Sequence, residues 1–130
     1  MGFQRLSEIR IEEARILLDA KKYSGAYYLA GYAVEFAFKA CIAKKTRRHS
    51  YPDKDHSIKC YTHDLEKLLE LVGLKPILAS IAHLKVPWGI VKDWSEQARF
   101  EKKSRVEARD LYEAITDLHH GVLTWIKLHW

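Results

Sequence analysis

The sequence predicts an all-α fold, an up-and-down bundle of four to five helices with long second and last helices. Three observations predict it. Apolar residues recur at intervals of three and four along most of the chain, no run alternates apolar and polar residues between hairpin turns, and only 6 Gly and 3 Pro punctuate 130 residues. At this length, with 48% apolar and 30% charged residues, one domain with one core is expected, and disordered or collagen-like classes are excluded. We read residues 1–130 as a single helical domain with its core at about 7–128.

The first helix is expected from about Ser7, as N-cap, to Lys22, with Ile11, Ala14, Leu17 and Leu18 on one face and Glu8, Glu12 and Glu13 in the early turns, where carboxylates favour the helix dipole. After a break at Tyr23-Ser24-Gly25, the second helix runs to about Lys45 and is apolar around nearly its whole circumference, which places it at the bundle centre. Its interior charges are Glu35 and Lys39, four residues apart with the acid first, the order in which they pair on one face. Residues 46–61 lose periodicity and read as a long loop. A third helix begins near Thr62, with Asp64 at its start, buries Leu65, Leu68, Leu69 and Val72, and stops at Gly73. A fourth runs from Pro76 to about Leu84. Pro87-Trp88-Gly89 breaks it, and residues 90–104 are irregular or hold one short helical turn with Trp94 and Phe100. Finally, Ala108, Leu111, Ile115, Leu118, Val122 and Trp125 predict one long amphipathic helix from about Ser104 to Leu128, weakened by about 1 kcal/mol at Gly121.

The longest uncharged apolar stretch, from Ser24 to Val34, ends at Glu35, far short of the roughly 20 residues that span a bilayer. Residues 2–11 carry Arg5, Glu8 and Arg10 and lack the anatomy of a secretory signal. A cytoplasmic protein without membrane partners is expected, with Cys41 and Cys60 as free thiols. The net charge is +5. Between Lys44 and Tyr61, six cations (Lys44, Lys45, Arg47, Arg48, Lys54 and Lys59) face Asp53 and Asp55, so most of that charge is concentrated there. With Tyr51 and Tyr61 interleaved, the segment suits a nucleic-acid backbone, or it is a solvated loop. A second basic group, Lys102, Lys103, Arg105 and Arg109, is diluted by Glu101, Glu107 and Asp110. His49, His56, Cys60 and His63 match no standard metal spacing, so neither a metal nor a cofactor is expected.

Several of these residues stand in a recognisable order. An opening helix carries Glu13-Ala14 and Leu17-Leu18, the second helix reads Gly31-Tyr32-Ala33-Val34-Glu35-Phe36-Ala37-Phe38-Lys39-Ala40, and His63-Asp64-Leu65 opens the third. An Ala98-Arg99-Phe100 element precedes a final helix ending Val122-Leu123-Thr124-Trp125-Ile126. Over about residues 7–128 this resembles the HEPN family (higher eukaryotes and prokaryotes nucleotide-binding). The resemblance implies a homodimeric helical bundle, often encoded with a nucleotidyltransferase partner as a toxin–antitoxin pair. Many members are metal-independent endoribonucleases with an Arg, four to six residues, then a His. In that mechanism the His assists attack of the RNA 2′-hydroxyl and the Arg stabilises charge on the phosphate. Here Arg99 aligns with the signature Arg, but Ser104, Arg105 and Val106 occupy the positions for the His.

Ligand-binding candidates are therefore Glu35, Lys39 and Arg99 in a groove of the bundle, with Arg47, Arg48, Lys54 and Lys59 of the basic loop, for a nucleotide or RNA phosphate. The alternatives are a buried ion pair for Glu35 and Lys39, and a salt bridge from Arg99 to Glu35, Glu96 or Glu101. His63 either forms a structural hydrogen bond at a helix start or, with Arg99, serves as a weak catalytic candidate. Three functions remain: a binding module, an endoribonuclease using a non-standard His, and a purely structural interaction protein.

Overall fold

The computed structural model describes residues 2–48 and 61–130. These residues fold into α1 (Phe3–Asp19), α2 (Tyr23–Arg48), α3 (Leu65–Val72), α4 (Lys75–Ala79), α5 (Lys85–Val91), α6 (Arg105–Thr116) and α7 (Val122–Ile126), with 3-10 turns at Ala82–Leu84 and Glu96–Phe100. No strand occurs among the described residues. The all-α expectation therefore holds.

Helix α2 is the central element, as its lack of a polar face predicts. It contacts α1, α3, α6, α7 and the Glu96–Phe100 turn. Small buried residues, Ala26, Ala30, Ala33 and Ala37, let neighbouring backbones approach closely, while Val34, Phe38 and Ile42 fill the space between them. Helix α1 runs antiparallel to α2: Leu17 lies beside Gly25, Ser7 bonds to Ala33, and the Phe3 and Phe36 rings stack at 6.1 Å. Helix α6 adds Ala108, Leu111 and Ile115 to the same core, and α7 adds Val122, Trp125 and Ile126.

Several boundaries differ from the sequence expectation, each for a local reason. Ser7 is not an N-cap. Helix α1 starts four residues earlier, and the buried Ser7 hydroxyl donates to the Ala33 carbonyl at 2.6 Å, so it ties α1 to α2. No acidic residue stands in the first turn of α1, and Glu8 and Glu13 instead pair with Arg5 and Arg10. The break between α1 and α2 lies at residues 20–22, leaving Tyr23-Ser24-Gly25 inside α2. Helix α2 also continues through Thr46 and Arg47 to Arg48, which shortens the expected loop at its start. Pro87 does not break a helix, because it occupies the first turn of α5, where its missing N–H is not needed.

The long last helix is the largest correction. It divides into α6 and α7, and Leu118, expected on the apolar face, is exposed. Asp117 leaves the helical region, and its carboxylate accepts from the backbone N–H groups of His119 (3.2 Å) and His120 (2.7 Å), offering the backbone an alternative to the helix. Gly121 then fits a tight return, since a Cβ there would meet the carbonyl oxygen of Asp117 at 2.5 Å.

Candidate functional site

Two elements meet at one buried carboxylate, and a third joins them through His63. Glu35 is 1% exposed in the middle of α2, and burying its charge requires compensation. Lys39, one turn on, donates from Nζ to Glu35 Oε2 at 3.1 Å. His63 Nδ1 lies 2.8 Å from Glu35 Oε1, and His63 Nε2 lies 3.2 Å from Glu96 Oε2. The pair visible in the sequence is therefore one half of a four-residue network, and the buried-pair alternative describes it best.

The local sequence explains why His63 faces α2. Asp64, not His63, caps α3: its side chain accepts from the N–H groups of Glu66 (3.0 Å) and Lys67 (3.2 Å), and its own N–H donates to Thr62 Oγ1 at 3.1 Å. With the cap made by its neighbour, the imidazole is free to cross to Glu35 and Glu96. Carboxylates only accept, so both contacts are made in full when both ring nitrogens carry hydrogen. Tyr32 packs edge-on against His63, with centroids 5.9 Å apart, and burial pushes the Tyr32 hydroxyl well above its usual range, with Tyr28 and the charge of Glu35 adding to the shift.

The Glu96–Phe100 turn is positioned from both ends. Ser95 caps it by accepting from the Gln97 N–H at 3.1 Å, and Ala98 is buried against the core. Before it, Trp94 lies against Gly31 of α2, the place on that helix where only a missing Cβ leaves room for the indole. Its Nε1 is buried without a partner among the described residues.

Arg99 stands on this turn and is exposed. Its guanidinium lies 4.5 Å from the centroid of the Phe100 ring, itself 71% exposed. The expected salt bridges are not made. Glu35 holds Lys39 and His63, Glu96 holds His63, and Glu101 holds Lys103 at 2.8 Å. Among the described residues Arg99 has no ion-pair partner. Nor does it line the cleft of about 410 Å³ beside His63, where Asp64, Glu66, Asp93 and Glu96 outweigh Lys92.

Lys39 is only 12% exposed and is occupied by Glu35, so these two residues and Arg99 do not form one open groove. Arg47 is exposed near the end of α2, beside a depression of about 570 Å³ that Arg5 also lines. Arg48 ends α2, and its side chain, like Lys54 and Lys59, lies outside the described residues, as do His49, His56 and Cys60. Among the described residues no cluster of His, Cys, Asp and Glu could hold a metal ion, and no helix is long and apolar enough to cross a membrane. Glu96 is the residue that sequence reasoning missed as a partner of His63. Its separation of 33 positions left no local signal.

The family model of the HEPN domain matches residues 5–122. The chain belongs to the HEPN domain family. The match covers α1 through the Asp117 break and the start of α7, including Glu35, His63, Glu96 and Arg99. It identifies the protein as a helical module of a nucleotide- and RNA-related family. No curated protein and no solved structure matches the chain significantly.

Proposed function

We propose that this HEPN protein is a binding module for a nucleotide or RNA phosphate, that Arg99 is its principal ligand contact, and that it acts as a cytoplasmic homodimer with a nucleotidyltransferase partner in a toxin–antitoxin-type system. One observation carries the ligand assignment. Each carboxylate that sequence proximity or the network offers to Arg99 is occupied by another side chain, which leaves the guanidinium for an external acceptor. An exposed guanidinium over an aromatic ring suits a phosphate bound bidentately beside a stacked base. Glu35, Lys39 and His63 then act behind it: they fix Glu96 and with it the turn that presents Arg99. Arg47, Arg48, Lys54 and Lys59, the cations of the basic segment, serve in this reading as further phosphate contacts.

The same network favours binding over the endoribonuclease alternative. Both nitrogens of His63 face carboxylates, so neither is open to take a proton from a 2′-hydroxyl. The test is titration of fluorescein-labelled RNA and of ATP at two salt concentrations, with Arg99→Gln beside the parent chain. Binding that weakens with salt and falls about tenfold or more in the variant is expected. Absent or salt-indifferent binding refutes the reading. RNA cleavage by the pure protein in the presence of a chelator would instead establish the enzyme. Sedimentation should give twice the 15.2 kDa chain mass.

A further inference from the structure

The linear charge count gives Arg105 and Arg109 little weight, because carboxylates alternate with them. The fold changes their company. Helix α6 touches α1, and between them lies a groove of about 580 Å³ into which α1 and its end bring Arg15 and Lys21 opposite Arg105 and Arg109. Four cations thus meet two carboxylates, Asp19 and Glu113. Asp19 accepts from Arg15 Nε at 3.1 Å, and Glu113 lies 3.5 Å from Arg109 Nε. In both pairs Nε makes the closest approach, which at Arg109 leaves the terminal nitrogens for a second acceptor. Lys21 and Arg105 have no ion-pair partner among the described residues.

Lys21 provides a separate observation. It closes α1 in the left-handed conformation, φ 63°, with its N–H on the Leu18 carbonyl at 3.1 Å and the Lys22 N–H on the Leu17 carbonyl at 2.8 Å. Glycine is the usual occupant of this position in a helix stop. Here a strained lysine stands at the edge of the groove instead. The lining is mainly polar, unlike the apolar enclosure that small molecules favour. An open row of cations with aromatic residues, Tyr112 under Arg15 at 5.7 Å among them, suits a polyanionic backbone.

We propose that this groove binds the phosphodiester backbone of single-stranded RNA, with Lys21, Arg105 and Arg109 as phosphate contacts. It extends the ligand reading given for Arg99 but shares no residue with that site. The experiment is anisotropy of fluorescein-labelled oligouridylate with the full chain over a range of salt. In Arg105→Gln/Arg109→Gln, affinity should fall on the order of tenfold, and the slope of log affinity against log salt should lose about 1.4, the share of two single-strand phosphate contacts. Lys21→Gly should raise the urea midpoint by removing the strain and yet weaken RNA binding roughly threefold. That opposition separates a ligand contact from a structural role.

An unchanged affinity and slope in the double variant overturns the groove, as does unchanged affinity in Lys21→Gly. Displacement of the RNA by polyglutamate of equal charge at equal concentration also overturns it, since the groove would then suit an acidic protein surface as well. Loss of RNA and ATP binding in Arg99→Gln alone, with the groove variants unaffected, leaves the Arg99 reading and removes this one. Loss of RNA in the groove variants, with Arg99→Gln unaffected, does the reverse.

Discussion

Gly31→Ala sets two opposed effects against each other at one position. Alanine is favoured over glycine in a helix interior by about 1 kcal/mol, so on propensity alone the substitution stabilises α2. A Cβ at Gly31, however, falls inside the van der Waals envelope of Trp94, on Cε2 and Nε1. Carbon atoms rest about 3.5–4.0 Å apart, so the indole must withdraw by roughly 1.5 Å. It is a rigid ring, only 3% exposed, with no flexible end to turn aside. Overpacking of this kind costs about 1–3 kcal/mol, and the retreat exposes part of a large buried side chain as well. The net expectation is destabilisation by about 2 kcal/mol, or a urea midpoint lower by roughly 1 M at the slopes usual for small domains. Gly25→Ala is the internal control, because its Cβ meets only the end of the Leu17 side chain at 3.2 Å. Equilibrium urea unfolding followed by Trp fluorescence reads both variants. A Gly31→Ala midpoint equal to or above the parent, or no lower than that of Gly25→Ala, refutes the placement of Trp94 on α2.

Glu35→Ala removes the common partner of Lys39 and His63 and leaves the largely buried ammonium unpaired, which should cost about 3–5 kcal/mol in the same assay, so a loss below about 1 kcal/mol would sink the network. Both carboxylates that terminate α6 sit below their ordinary range: Glu107 through hydrogen bonds from the Ser104 backbone and side chain, Asp117 through the N–H groups of His120 and His119. Their folded-state values are depressed, so their contribution is present above the ordinary 4.5 and 3.8 and is lost as the pH falls below them; Glu107→Gln should flatten the acid unfolding curve followed by circular dichroism, and an unchanged curve counts against this. Burial pushes the Cys41 thiol up to about 11, so iodoacetamide at pH 8 should label it about 100-fold more slowly in the folded than in the unfolded chain, as read by peptide mass spectrometry, and equal rates would contradict its burial.

What the sequence revealed and concealed divides along a physical line. The cap and stop of helix α3 were legible, although its start was expected near Thr62 and lies at Leu65, because both signals are local: Asp64 accepts from the N–H groups of Glu66 and Lys67, and Gly73 takes φ 78°. Centrality of α2 was equally legible, since a helix without a polar face has nowhere else to go. The start of α1 was not, because Ser7 offers the same hydroxyl whether it caps its own helix or bonds the Ala33 carbonyl of another, and only packing decides. Likewise the apolar spacing of residues 108–125 continues across Asp117, whose side chain breaks the helix by hydrogen bonds that periodicity does not register.

The site follows the same division, with a consequence for how it works. Glu35 and Lys39 are neighbours on one helix, so their pairing is visible at a spacing of four; His63 and Glu96 join them from 28 and 61 positions beyond Glu35. A buried ion pair contributes little net stability over an apolar substitute of similar shape, but it penalises any arrangement that leaves one member unpaired. Helix α2 supplies Glu35 and Lys39, and the α3 entry and the Glu96–Phe100 turn supply one member each, so a shift of either connection breaks the chain of contacts that ends on the buried Glu35. The turn bearing Arg99 is held in register by the Glu96–His63 contact and by the Trp94 seat on Gly31. A perturbation at either anchor should therefore move Arg99 without touching it. Glu96→Gln, which keeps the shape of the side chain and removes its charge, should weaken RNA binding while the urea midpoint changes little, because the group is partly exposed. Unaltered RNA affinity in Glu96→Gln would show that Arg99 is positioned by the backbone of the turn alone.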